Sequence, residues 1–123
     1  MRMTGSEDFD DAWPVLERAL NVYPFQTCGR QQLLAQIESG GLRLWRSGNS
    51  FMVTSETMNP AGLRVLNIHL AGGLLSEVVA MERQLATLAK NDGIAAIQIN
   101  GRRGWLKAFD GYHDAGTLMG KAL

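Results

Sequence analysis

Two hydrophobic periods alternate along the chain, and each change of period marks a new element. Trp13, Leu16, Ala19 and Leu20 recur at helical spacing behind Glu7, Asp8, Asp10 and Asp11, whose charge suits the positive end of a helix dipole. They predict a helix over about 11–21, with Pro14 tolerated in its first turn and Pro24 marking its end. Leu33, Leu34 and Ile37 predict a second helix over 30–38, stopped by the left-handed turn that Gly40-Gly41 permits. The period then shortens to that of strands. Residues 42–46, 51–57 and 63–70 read as strands joined by the turns Ser47-Gly48-Asn49 and Asn59-Pro60-Ala61-Gly62, an antiparallel meander. The third strand sets Leu66, Ile68 and Leu70 on one face and Leu63, Val65, Asn67 and His69 on the other, as expected of a central strand covered on both sides.

Ala71-Gly72-Gly73 interrupts that strand, and Val78, Val79, Met81, Leu85, Leu88 and Ala89 return to helical register. A helix over 75–91 is expected to turn its Val78, Met81, Leu85 and Leu88 side to the sheet. Gly93 ends it, and residues 94–99 read as a buried strand. Strand, helix and strand in that order make a right-handed parallel crossover. Trp105, Leu106 and Phe109 predict a short helix over 103–110 anchored by a buried Trp105, and residues 111–123 hold one or two short strands. The fold class is α/β with one mixed sheet, two early helices and a long central helix, in one domain over 1–123.

Composition narrows the function. A chain of 123 residues with 46% apolar and 20% charged positions is an ordinary folded domain with one core. Its twelve basic and twelve acidic residues cancel, which removes the global positive field that nucleic-acid binding needs. Gly101-Arg102-Arg103-Gly104-Trp105 sets two guanidiniums beside an aromatic, but with no basic stripe elsewhere it reads as a solvated turn. Cys28 stands alone, so a disulfide framework is excluded and a reducing compartment expected. Two histidines and one cysteine without paired spacing predict no metal site. No apolar run reaches the roughly 18 residues of a membrane span, and the acidic N-terminal stretch has the wrong sign for a signal peptide. Arg43, Arg46 and Arg64 are positioned to pair with Glu56 across neighbouring strands.

The element order resembles that of the GNAT superfamily of acetyl-CoA-dependent N-acetyltransferases, without its usual first strand. The stretches 63–73, Ala89-Lys90-Asn91-Asp92-Gly93, Gly101-Arg102-Arg103-Gly104-Trp105 and Gly111-Tyr112 are similar to small GNAT-like proteins of bacteriophages. The resemblance implies an acetyl-CoA pyrophosphate held by backbone N–H groups of Leu70, Ala71, Gly72, Gly73, Leu74, Leu75 and Ser76. The family signature is Gln or Arg, two residues, Gly, one residue, then Gly or Ala. Here either His69, Gly72 and Leu74 or Ile68, Ala71 and Gly73 take those places. Leu74 crowds the first register, and no Arg or Lys lies between Leu66 and Arg83, so weak or absent acetyl-CoA binding is expected. By resemblance, Glu56 takes the place of a general base and Tyr112 that of a general acid. His69 and His113 add titrating groups. Two functions follow. The first is a catalytically silent phage protein that works through viral or host protein contacts, in the virion or the host cytoplasm. The second is an acetyl-CoA-dependent N-acetyltransferase of an unidentified amine.

Overall fold

A computed structural model of the chain describes residues 1–20, 29–100, 111–115 and 118–123. The readings of Cys28, Arg102, Arg103, Trp105, the helix over 103–110 and the His113 side chain fall outside the described residues. The elements are β1 (Arg2–Thr4), α1 (Phe9–Leu20), α2 (Arg30–Ser39), β2 (Arg43–Ser47), β3 (Ser50–Met58), β4 (Arg64–Gly72), α3 (Leu75–Asn91), β5 (Ala96–Asn100), β6 (His113–Ala115) and β7 (Leu118–Ala122). They form one sheet in the order β1-β2-β3-β4-β5-β7-β6. β4 is its middle strand, as the sequence predicts. Among the described strands only the β4–β5 pair is parallel, because the crossover through α3 returns the chain in the same direction.

The sheet separates two cores. Phe9, Ala12 and Leu16 of α1 and Leu33 and Ile37 of α2 pack on Leu44, Phe51, Val53 and Leu70. On the other face Val78, Met81, Leu85 and Ala89 of α3 pack on Met52, Leu66, Ile68, Ala71, Ile97 and Ile99. Both stripes follow the i, i+3, i+4 spacing that puts helix side chains on one side. Gly40 stops α2 with φ of 85°, the left-handed geometry that its lack of a Cβ permits.

Several expectations need correction. The usual first strand is present: β1 pairs antiparallel with β2, Met3 opposite Trp45. Three residues are too few for alternation to register in a sequence, and an Arg2–Asp8 ion pair of 2.6 Å helps hold them. α1 begins at Phe9, which moves Pro14 into the second turn, where it removes one helical hydrogen bond. Leu88 is 52% exposed, and Glu82 takes a place in the buried stripe. The buried arc of α3 is centred toward Leu85 and Ala89, which leaves Leu88 just past its edge, over the outermost strands.

Leu70 does not share a face with Leu66 and Ile68. Val53 lies opposite Leu70 while Thr54 lies opposite Ile68, so His69 is an extra residue, a bulge in β4. One inserted residue inverts the alternation, and Leu70 turns to the α1–α2 core.

Candidate functional site

The bulge coincides with the end of a strand pairing. β4 and β5 are matched from Val65–Ala96 to Ile68–Ile99. β4 continues to Gly72, and from Leu70 onward it pairs only with β3 among the described residues. The bend at His69 thus leaves one edge of 69–72 without a pairing strand among the described residues, just before the chain enters α3.

The turn into α3 is tightly built. Gly73 has φ of 122°, and a Cβ there would lie 2.6 Å from the Ser50 Cα. A Cβ on Gly72 would lie 2.6 Å from Val15 Cγ1 and 3.2 Å from the Val15 carbonyl of α1. Both glycines are therefore required by packing, with or without a ligand. Ser50 is fully buried beneath them; its Oγ accepts the Leu74 N–H at 3.0 Å and donates to Glu77 Oε1 at 2.9 Å. One donor of the turn is consumed in this way. The Val78 N–H donates to the Leu74 carbonyl at 2.9 Å, closing the first turn of α3, and the helix start has no side-chain cap among the described residues. The N–H groups of Leu75, Ser76 and Glu77 are the ones left for an anion. Glu77 brings a carboxylate to this end, which stabilises the helix dipole and repels an incoming phosphate. Leu70 and Ala71 are buried, whereas Leu74 and Leu75 are 66% and 59% exposed at the mouth of the turn. Ser50→Ala should cost about 1–3 kcal/mol in denaturant unfolding, because the Leu74 N–H loses its acceptor and Glu77 a donor.

His69 Nε2 stands 2.7 Å from Ser55 Oγ, and Asn67 donates to Thr57 Oγ1 at 2.9 Å nearby. Desolvation of the ring, on a residue that remains exposed, holds the His69 pKa below its ordinary 6.5. A depressed histidine contributes stability above its unfolded pKa that is lost as pH falls through the folded value. An NMR titration of the His69 ring should therefore show a midpoint below 6.5, with unfolding stability declining on the acid side of that value.

The two groups expected to catalyse lie elsewhere. Glu56 binds Arg43 at 3.3 Å and Arg64 at 2.9 Å, and Arg64 also holds Asp92 at 2.8 Å, at the C-terminal end of α3. Arg46 does not join them; it pairs with Asp8 and Asp11 at 3.0 and 2.9 Å. Tyr112 is buried and donates its hydroxyl to Glu82 Oε1 at 3.0 Å. Lys121 Nζ meets the same oxygen at 2.5 Å and lies 4.9 Å from the Tyr112 ring centroid. Burial, together with the Glu82 charge and hydrogen bond, drives the Tyr112 pKa far above its ordinary value, so its proton is held. Glu82 is two turns into α3, about 10 Å along the axis from the anion turn.

Neither Ser50 nor the Glu82–Lys121 pair was expected from sequence. Glu82 carried a signal, four residues after Val78 on the apolar stripe, whereas Ser50 carried none. Among the described residues, no three His, Cys, Asp or Glu side chains group as metal ligands, and no helix is long and apolar enough to cross a membrane.

No family model and no curated protein matches the chain. Among solved structures it is similar to a putative acetyltransferase from Staphylococcus aureus Mu50, at 16% identity and a TM-score of 0.63, covering 99% of this chain and 96% of that one. It is also similar to a ribosomal-protein-alanine N-acetyltransferase from Brucella melitensis biovar Abortus 2308, at 13% identity and a TM-score of 0.62, covering 87% and 83%. At such identities the likeness is one of fold: a mixed α+β architecture of the GNAT acetyltransferase type.

Proposed function

We propose that this chain uses a GNAT-like scaffold for protein contacts and not for acetyl transfer, as a phage protein acting in the virion or against a host factor. The state of the 72–77 turn carries this reading. Its glycines are filled by Val15 and Ser50, the Leu74 N–H is already bonded, and Glu77 opposes an anion. Tyr112 and Glu56, the acid and base that the resemblance suggests, are both engaged in internal pairs. The phage assignment rests on the resemblance read from the sequence at 63–73, 89–93, 101–105 and 111–112.

A second reading, acetyl-CoA-dependent N-acetylation of an amine, is favoured by the edge of β4 at 69–72, which among the described residues has no pairing strand on that side, beside a start of α3 that no described side chain caps. The two named solved neighbours are acetyltransferases by description. In that reading the residues left to meet the cofactor are the N–H groups of Leu75, Ser76 and Glu77, and His69 is the nearest titrating group along β4.

Isothermal titration with acetyl-CoA separates the two. The expected result is no saturable binding tighter than about 1 mM, or about −4 kcal/mol. Micromolar binding that is competed by free coenzyme A would overturn the protein-contact reading.

A further inference from the structure

We infer that β1 is a detachable edge strand, and that the charge of Asp8 is the latch that keeps it on the sheet. Burial does not hold this strand. Arg2 and Met3 are exposed and Thr4 is half-buried, so β1 itself adds no residue to either buried core. Met1, just before it, packs against the α3-side core from a partly buried position. An edge strand attached so lightly opens at low free energy unless something else ties it.

The strand register makes such a tie necessary. Arg2 lies directly opposite Arg46. Like charges that face each other across an antiparallel pair destabilise it. Asp8, in the turn between β1 and α1, sets one carboxylate between them: Oδ2 meets Arg2 at 2.6 Å and Oδ1 meets Arg46 at 3.0 Å. Oδ2 also accepts the Thr4 hydroxyl at 2.5 Å, so residues 2 and 4 of the strand share one anchor. The Asp8 side chain is 13% exposed, and salt screens it less than a fully solvated pair.

The two arginines are not equally free to move. Arg46 is fixed to β2: its Nε donates to the Gly48 carbonyl at 2.8 Å, its guanidinium lies over the Phe51 ring, and Asp11 of α1 meets it at 2.9 Å. The Arg2 side chain is 59% exposed. Loss of the Asp8 charge therefore leaves Arg46 in place and drives Arg2 away, with β1 attached. The other nearby charges are engaged. Glu7 Oε1 takes the Thr4 hydroxyl at 3.0 Å and the Gly5 N–H at 3.3 Å, and Arg30 of α2 pairs with Asp10 at 2.5 Å.

The Thr4 hydroxyl first, then Arg2 and Arg46, hold the Asp8 carboxyl below its ordinary 3.8 against the opposing effect of desolvation. A depressed carboxyl contributes above its ordinary value, and the contribution is lost as pH falls through the folded value. Acid opens the latch. The open state uncovers the outer edge of β2 at 44–46. This device goes beyond both readings of function and depends on neither.

The test is amide hydrogen exchange on the full chain, read by NMR at residues 3–4 and 44–46, with 66–68 of the central strand β4 as internal reference. Asp8→Asn removes the charge but keeps an oxygen for Thr4 and a favourable residue ahead of α1. Exchange should quicken roughly tenfold or more at the amides that bond across β1 and β2, and stay unchanged at 66–68. Adding Arg2→Gln removes the facing charge, and the double variant should regain most of the lost protection. In the unsubstituted protein the same selective loss should appear as pH falls below 3.8, once the intrinsic pH dependence of exchange is divided out. Four results overturn the proposal. Exchange unchanged by Asp8→Asn would mean that no latch exists. Equal acceleration at 66–68 would make Asp8 a residue of general stability. A double variant as open as the single one would make Asp8 a hydrogen-bond acceptor and not a charge latch. Protection at 3–4 that outlasts protection at 66–68 in acid would separate β1 from Asp8 altogether.

Discussion

Lys121→Met is expected to lower the unfolding free energy by about 3–5 kcal/mol, because it strands a carboxylate inside the protein. Glu82 is 1% exposed, and its Oε1 is the shared acceptor of Lys121 Nζ and the Tyr112 hydroxyl. With the ammonium gone, the phenol remains as a neutral donor, too weak to replace a charge. Glu82→Gln in the same protein should recover much of the loss, since an amide has no charge to desolvate. Urea unfolding of the two single variants and the double variant measures the coupling directly. Equal and additive losses would show that the pair is solvated and contributes little. The same cluster gives an alkaline signature. Tyr112 has a folded pKa raised above its ordinary 10.0 by burial and by Glu82, so its contribution is fully present below pH 10 and declines as pH rises past it. Tyr112→Phe should flatten that part of the stability profile while costing about 1–3 kcal/mol at neutral pH through the lost hydrogen bond to Glu82.

Leu85→Ala is expected to cost about 2–5 kcal/mol by leaving a cavity beneath the long helix. Leu85 is 2% exposed and sits within the core formed with Ile68, Ile97 and Ile99 at the centre of the sheet. A loss within about half a kcal/mol would mean that α3 is peripheral. Leu88→Ala is the internal control. The apolar spacing places both leucines on one stripe, but Leu88 is 52% exposed and its truncation should change stability by about 0.5 kcal/mol or less. The contrast between two leucines three residues apart measures where the sheet stops supporting the helix.

Much of the architecture was legible because it rests on local periodicity. The range 75–91 for the long helix matches Leu75–Asn91, and the meander, its turns and the parallel return of the next strand are all written in spacing, glycine and β-branching. β1 was not legible, since three residues carry no period and are a strand only because β2 pairs with them. The bulge at His69 was hidden for a related reason. Leu66, Ile68 and Leu70 alternate perfectly in sequence, and only the mismatch of β4 with β3 inserts the extra residue that turns Leu70 away.

The candidate site divides along the same line. Sequence alone marked the glycine turn before α3, its lack of nearby cations and the crowding of its approach by Leu74. Those are properties of neighbouring residues, and the physics that acts on them is local. What occupies the turn was decided by tertiary structure: Ser50 arrives from β3 and Val15 from α1, and neither lies near Gly72 or Gly73 in the chain. The roles of Glu56, Glu82, Tyr112 and Lys121 depend likewise on partners 8 to 39 residues away. A carboxylate's chemistry is set by which charges and donors the fold brings within about 4 Å of it. Spacing along one element determines the element, and only the packing of several elements against each other determines what a polar side chain meets.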